Sequence, residues 1–142
     1  MNKKKIAYFV TTGLVAAAFA MGGFADLARG PEMKAAMAHL GYPVYFLVIL
    51  GVWKLLGAVA LLAPGLPRLK EWAYAGITFD LTGAAISHAV SGDPPSAVVT
   101  PLVILAIAAA SWALRPEDRK FGAKQATPSS VRGGASASPV AA

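Results

Sequence analysis

Apolar residues form four long runs along the chain, and polar segments separate them. The runs extend over about residues 6–25, 44–63, 72–90 and 97–114. Each approaches the roughly 20 apolar residues that a helix needs to cross the hydrocarbon core of a bilayer. The pattern therefore predicts an all-α fold. The predicted fold is an integral membrane four-helix antiparallel bundle within residues 1–119, because successive spans run in opposite directions.

A short amphipathic segment follows the first run. Pro31 and Glu32 are typical of a helix start, and Met33, Met37 and Leu40 then recur at i, i+4 and i+7. We expect a short interfacial helix after the first span, lying over the mouth of the bundle. It would serve either as a packed connector or as a lid.

The first run has two interpretations. Three lysines precede it, and Ala18-Phe19-Ala20 resembles the small-residue cleavage site of a signal peptide. The apolar run nevertheless continues through Phe24 to its first charge at Asp26. A retained helix also gives an even number of spans, which places both basic termini on one side, and we expect retention.

Two of the runs contain a charged residue far from their ends. Lys54 lies ten residues after Val44, and Asp80 lies ten residues before Val90. The Pro64–Glu71 turn makes the two helices antiparallel, so both charges lie roughly 15 Å deep on the same side of the bilayer. Charges inside a span usually face the protein interior and form pairs. We therefore predict a buried Lys54–Asp80 ion pair.

Other polar residues extend this candidate intramembrane site, which comprises Lys54, Asp80, Ser87 and His88. Ser87 and His88 lie about two turns beyond Asp80, on much the same helix face. The Lys–Asp pair has two interpretations: it fixes helix register, or it binds a ligand or relays a proton. In the fourth run we expect Ser111 to bond to its own backbone, and we expect His39 to be an exposed loop histidine.

The composition agrees with a membrane protein and excludes several kinds of site. Of the 142 residues, 56% are hydrophobic and 14% are charged, and there is no cysteine. Thiol chemistry and thiolate metal sites are therefore excluded for this chain. Neither histidine belongs to a metal-binding motif, so no metal site is predicted. No aromatic-interleaved basic patch indicates nucleic-acid binding.

The positive residues predict the orientation. Ten lysines and arginines lie in the basic head, the 64–71 turn and the segment after residue 114, whereas only Arg29 and Lys34 lie on the opposite side. Both termini should therefore be cytoplasmic. Residues 120–142 contain few large apolar side chains, so we predict a disordered cytoplasmic tail.

Several segments, in order along the chain, carry a family resemblance. They are Leu40-Gly41-Tyr42-Pro43, Leu50-Gly51-Val52-Trp53-Lys54-Leu55-Leu56-Gly57-Ala58, Pro67-Arg68-Leu69-Lys70-Glu71-Trp72-Ala73-Tyr74-Ala75-Gly76, Phe79-Asp80-Leu81-Thr82-Gly83-Ala84, Ser87-His88 and Ser111-Trp112-Ala113-Leu114-Arg115-Pro116. With these segments the chain resembles the bacterial DoxX-like family from about Tyr8 to Arg119. The resemblance implies a four-helix protein of the bacterial cytoplasmic (inner) membrane, in which the family's recurrent lysine and aspartate match Lys54 and Asp80.

The resemblance does not imply a settled activity. The wider DoxX group includes a small subunit of a thiosulfate:quinone oxidoreductase, and some members are tied to membrane thiol-redox and oxidative-stress complexes. Two functions follow as hypotheses. The first is a non-catalytic membrane subunit or small-ligand-binding bundle, not an enzyme on its own and without a cofactor. The second is a redox-associated component that contacts a quinone or another lipophilic substrate. Expected partners are the lipid bilayer, subunits of a membrane or redox complex, or further copies of the chain.

Overall fold

The computed structural model describes residues 2–120, and this part of the chain is all helical, without a strand. It contains five α-helices and one short 3₁₀-helix. The helices are α1 (Lys3–Ala28), α2 (Pro31–His39), α3 (Phe46–Leu62), α4 (Pro67–Val90) and α5 (Pro95–Ala113), and the 3₁₀-helix is Glu117–Arg119. The four long helices cover the four apolar runs, and α2 covers the amphipathic segment. The predicted disordered tail lies, apart from Lys120, outside the described residues.

Local sequence signals account for the helix ends. Asn2 caps α1, because its side chain accepts a hydrogen bond from the backbone N–H of Lys4. Pro67 and Pro95 are the first residues of α4 and α5. The N–H group that proline lacks would have no intrahelical acceptor at this position. At its far end α1 continues to Ala28, and Arg29 closes it in the left-handed conformation with a φ of 50°. Asp26 therefore belongs to α1, although the apolar pattern placed it in the connection.

Each long helix packs against two others. Helix α1 contacts α3 and α5, and α4 contacts the same two helices. Buried residues of all four form one apolar core, which includes Val15, Phe19, Leu61, Ile77 and Ala108. The side chains of this core come from every long helix, so the displacement of any one of the four would expose the core.

A buried hydroxyl cluster crosses the same core. The Ser111 hydroxyl on α5 lies 2.6 Å from the Thr12 hydroxyl on α1 and 2.7 Å from the Tyr74 hydroxyl on α4. Ser111 is fully buried. The expectation that it bonds to its own backbone was therefore wrong, because neighbouring helices bring two hydroxyl partners within reach. Such interhelical hydrogen bonds hold three helices in one register.

Two of the helices in the described residues are long and apolar enough to cross a membrane by length and composition, namely α1 and α5. Helix α3 is apolar but has only 17 residues. Helix α4 has 24 residues, but Asp80, His88 and several hydroxyl side chains lower its mean hydropathy. Helix α3 therefore falls short of a candidate span by its length, and α4 by its hydropathy.

The backbones of α1 and α3 approach each other closely at a pair of glycines. A Cβ atom on Gly51 would lie 2.7 Å from Leu27 Cγ and 2.9 Å from the carbonyl oxygen of Gly23. A Cβ atom on Gly23 would in turn lie 2.9 Å from Leu55 Cγ and 3.0 Å from the carbonyl oxygen of Gly51. Backbone atoms cannot move aside as a flexible side chain can. This contact therefore requires glycine on both helices.

We predict that Gly51→Ala destabilises the folded protein by about 1–3 kcal/mol, because the added methyl group forces the two backbones apart. Gly57→Ala, on the same helix, is the matched control, since its Cβ would meet no atom within 4 Å. Thermal unfolding of both variants in the same detergent checks the prediction. Equal melting temperatures for the two variants would contradict the close contact.

Candidate functional site

A largely buried ion pair links α1 to α3. Lys54 Nζ donates a hydrogen bond to Asp26 Oδ2 at 2.8 Å. The Asp26 side chain is 8% exposed and the Lys54 side chain 22% exposed. Burying two charges is costly unless they are paired, so the short separation is what makes their burial tolerable.

The glycine contact explains how Asp26 reaches Lys54. Gly23 and Gly51 bring the two backbones together one turn away from Asp26 and Lys54 along their helices. Gly22 also faces the lysine, since a Cβ there would lie 3.8 Å from Lys54 Cδ. A larger side chain at Gly23 or Gly51 would increase the separation of α1 and α3. The packing of small residues thus sets the length of the ion pair.

Asp80 is the second carboxylate near Lys54. It lies on α4, partly buried, and its charge interacts with those of Lys54 and Asp26. In residues 2–120, however, no side chain comes within hydrogen-bonding or ion-pairing distance of its carboxylate. Asp26, Lys54 and Asp80 together form what we call the acid–lysine cluster, with two acids for one base.

The predicted Lys54–Asp80 ion pair is therefore corrected. The two residues lie in the same region, as their matched depths required, but the direct partner of Lys54 is Asp26. The prediction ended the first span at Ala25 and assigned Asp26 to a loop. The three further residues of α1 carry Asp26 into the core and give the lysine a nearer acid.

A groove between α3 and α4 opens beside the acid–lysine cluster. Its volume is about 860 Å³ and its walls are mostly apolar and aromatic. The larger side chains that line it are Phe19, Trp53, Leu56, Leu69, Trp72 and Phe79. Lys54, Glu71 and Asp80 are its charged lining residues. A groove with these walls suits a lipophilic molecule that carries one polar group.

Ser87 and His88, the other two predicted site residues, lie outside this groove and form contacts near the α4–α5 loop. The Ser87 hydroxyl lies 2.8 Å from the hydroxyl of Tyr42. His88 Nδ1 lies 2.6 Å from Asp93 Oδ2, and His39 Nε2 lies 2.6 Å from Asp93 Oδ1. The four predicted residues thus belong to two separate groups, one at the groove and one at this end of the helices.

Asp93 is the residue that joins the second group. It accepts hydrogen bonds from His88 and His39, and these bonds hold the pKa of its carboxyl below the ordinary value. His39 is the last residue of α2, so this contact ties the short helix to the α4–α5 loop. His39 was expected to be an exposed loop histidine. Its side chain is indeed 54% exposed, but the residue belongs to α2 and Asp93 is its partner.

Buried basic residues occupy the opposite end of the helices. Lys70 is 1% exposed and donates to the carbonyl oxygens of Ala60 and Leu61, which the last turn of α3 leaves without intrahelical partners. Arg115 is also buried and pairs with Glu71 at 2.8 Å. Sequence reasoning treated Lys70 and Arg115 only as surface charges, because it could not show which basic residues fold back over helix ends.

No group of three or more His, Asp or Glu side chains in residues 2–120 is arranged to hold a metal ion. The histidines share Asp93 but do not converge on a common position with a third ligand. The α3–α4 groove offers charged, hydrogen-bonding and apolar groups side by side.

Comparisons with known proteins identify the family of the chain. The chain matches the model of the DoxX-like family over residues 10–111, which includes Asp26, Lys54, Asp80 and His88. Neither the curated proteins nor the solved structures give a match. The family match and the apolar helices indicate a small membrane protein. Since the match covers well over half of its residues, this chain belongs to the DoxX-like family.

Proposed function

We propose that the protein is a small multi-pass protein of the bacterial inner membrane that binds a lipophilic ligand in the α3–α4 groove. In this proposal it has no catalytic activity of its own and acts as a ligand-binding bundle or as a subunit of a membrane assembly. The observation that carries the proposal is the position of Asp80 in the wall of a large apolar groove, where it has no direct partner among the described side chains. The redox-associated role is the second candidate considered below.

The distribution of side chains supports the membrane part of the proposal. Large apolar residues project outward from all four long helices, including Phe24, Val59, Phe79, Val90 and Leu102. Phe79 is 76% exposed and Val90 83% exposed. Buried residues, by contrast, include Asp26, Lys70 and Arg115. Apolar residues outside and paired polar residues inside suit a surrounding hydrocarbon phase, in which all four long helices would cross as an antiparallel bundle.

The distribution of basic residues supports the proposed orientation. The start of α1, the α3–α4 turn and the end of α5 share the basic end of the helices, as the contact between Arg119 and Tyr8 illustrates. The opposite end carries α2 and the α4–α5 loop. By the positive-inside rule, the basic end and both termini face the cytoplasm.

Topology reporters test this arrangement. Fusions after Gly30 and Gly92 should report the external side, whereas fusions after Gly65 and at the C-terminus should report the cytoplasm. The expected pattern follows from four crossings with both termini inside. Alkaline phosphatase and a fluorescent protein, which are active on opposite sides, give the two readouts. An external C-terminus would contradict the four-span arrangement and would favour cleavage of the first helix as a signal peptide.

The charge inventory of the groove supports ligand binding. Lys54 is paired with Asp26, and Glu71 is paired with Arg115 and accepts a hydrogen bond from Trp112 Nε1 at 2.9 Å. Asp80 is therefore the charged residue of the groove that is available to contact a bound ligand. Gly57 and Gly76 widen the space, since a Cβ at either position would meet no atom within 4 Å.

A groove-filling variant tests whether the groove takes lipophilic molecules. The probe is N-phenyl-1-naphthylamine, which is neutral and accepts excitation energy from Trp53 and Trp72. We expect saturable energy transfer in the native protein in lipid nanodiscs. Gly76→Leu should weaken the saturable binding by roughly tenfold, because the new side chain occupies space needed by the probe.

Gly83→Leu, on the same helix but outside the groove, is the matched control and should bind the probe like the native protein. Both variants must unfold at the same temperature as the native protein for the comparison to count. Equal probe binding by Gly76→Leu and Gly83→Leu would contradict ligand binding in the groove.

A quinone is the ligand of the alternative proposal, in which the protein contacts a redox partner. The apolar walls of the groove suit a quinone ring and its tail. That proposal had placed Ser87 and His88 beside Asp80, whereas these two side chains bind Tyr42 and Asp93 at the end of the helices. The geometry therefore supports general lipophilic binding better than a site built from all four residues.

A further inference from the structure

The charge of the acid–lysine cluster restricts what the groove can bind. Asp26 and Asp80 carry one negative charge each when ionised, and Lys54 carries one positive charge. Lys54 is already in direct contact with Asp26. The ionised cluster therefore has a net charge of −1, and this surplus is located on Asp80. In a low-dielectric region such a charge requires either a proton or a positive counter-charge.

The other titratable groups near the groove do not supply that counter-charge. Glu71, on α4, is bound to Trp112 of α5 and to Arg115, which follows α5. Lys70, on α4, donates to the end of α3. The only other charges that act on Asp80 in the described structure are those of Lys54 on α3 and Asp26 on α1. The compensating charge must therefore come from a proton or from a bound molecule.

The remaining walls suit an organic cation. Trp53 and Phe79 line the same groove as Asp80. Trp72 also lines it and lies on α4 two turns before Asp80. Aromatic rings attract cations through their electron-rich faces, and the attraction increases where water is excluded. A small inorganic cation would gain little from these rings and would lose its hydration. A cation that is itself lipophilic gains from the apolar walls, the rings and the carboxylate together.

We propose that the α3–α4 groove selects a lipophilic cation, and that Asp80 is the residue that recognises its charge. This inference rests on the proposed ligand-binding function and names the chemical class of its ligand. Binding of the cation to ionised Asp80 neutralises the acid–lysine cluster. When Asp80 carries a proton instead, the proton must leave before the cation binds, so that the two compete for one carboxylate.

A pair of ions with nearly the same size and shape but opposite charge tests the proposal. The probes are tetraphenylphosphonium, a cation, and tetraphenylborate, an anion. Each is titrated calorimetrically into the protein in zwitterionic nanodiscs, and the signal of empty nanodiscs is subtracted. We expect saturable binding of tetraphenylphosphonium and none of tetraphenylborate. The affinity for tetraphenylphosphonium should fall as the pH is lowered, because protons compete for Asp80.

Substitution of Asp80 locates the effect. Asp80→Asn keeps the shape of the side chain and should reduce the affinity for tetraphenylphosphonium by roughly tenfold or more, with loss of the pH dependence. Glu32→Gln removes one negative charge from an exposed position on α2 and should leave the affinity unchanged. Unchanged binding by Asp80→Asn would overturn the proposal.

Failure of the charge selectivity can be separated from failure of the groove itself. If both ions bind equally and Gly76→Leu blocks both, the groove binds lipophilic molecules but does not select a cation, and only this inference is overturned. If Gly76→Leu affects neither ion and also leaves N-phenyl-1-naphthylamine bound, the ligand-binding function is overturned as well. Binding of the anion alone would contradict the role of Asp80 and favour Lys54 as the recognising group.

Discussion

The need to neutralise Lys54 inside an apolar helical core is the constraint on which the rest of the structure depends. A buried charge that loses its partner costs about 3–5 kcal/mol, which is a large part of the stability of a small protein. Asp26 meets this need at 2.8 Å. The contact requires α1 and α3 to approach closely, and Gly23 and Gly51 allow that approach. Ion pair and glycine contact therefore depend on each other.

The packing of α3 against its two neighbours differs between the α1 side and the α4 side. On the α1 side the packing is tight, because small residues and a direct ion pair hold α1 against α3. On the α4 side Asp80 does not reach Lys54, and α3 and α4 leave a groove of about 860 Å³ between them. The buried contacts of Lys70 and the hydroxyl cluster around Ser111 hold α4 at its basic end. An open groove in a protein this small is thus compatible with firm anchoring of the helix that borders it.

The sequence predicted the helices better than the contacts between their side chains. The apolar runs predicted four long helices and the amphipathic segment predicted α2, because period and length depend on local sequence. The spacing of Lys54 and Asp80 also placed the right two helices side by side. The direct partner of Lys54 was missed, since α1 continues three residues beyond its apolar run and the run gives no sign of this continuation. The glycine pair at positions 22 and 23, one turn before Asp26, is the signal that could have indicated a close helix contact there.

The positions of Ser87 and His88 were mispredicted for a related reason. Ser87 and His88 share a helix face with Asp80, so a helical wheel places all three together. Asp93 and Tyr42 come from loops, and their positions depend on how the loops fold over the ends of the helices. Periodicity contains no information about such contacts.

The identity of the acid that contacts Lys54 can be measured directly. Solid-state NMR can measure dipolar coupling between ¹⁵Nζ of lysine and ¹³Cγ of aspartate in protein reconstituted in lipid. Lys54 with Asp26 is the one direct lysine–aspartate pair among the side chains that the structure describes, so one strong coupling is expected from them. With ¹⁵N confined to lysine and ¹³C confined to aspartate, Asp26→Asn should abolish that coupling, and Asp80→Asn should preserve it. Loss of the coupling in Asp80→Asn, with retention in Asp26→Asn, would contradict the account.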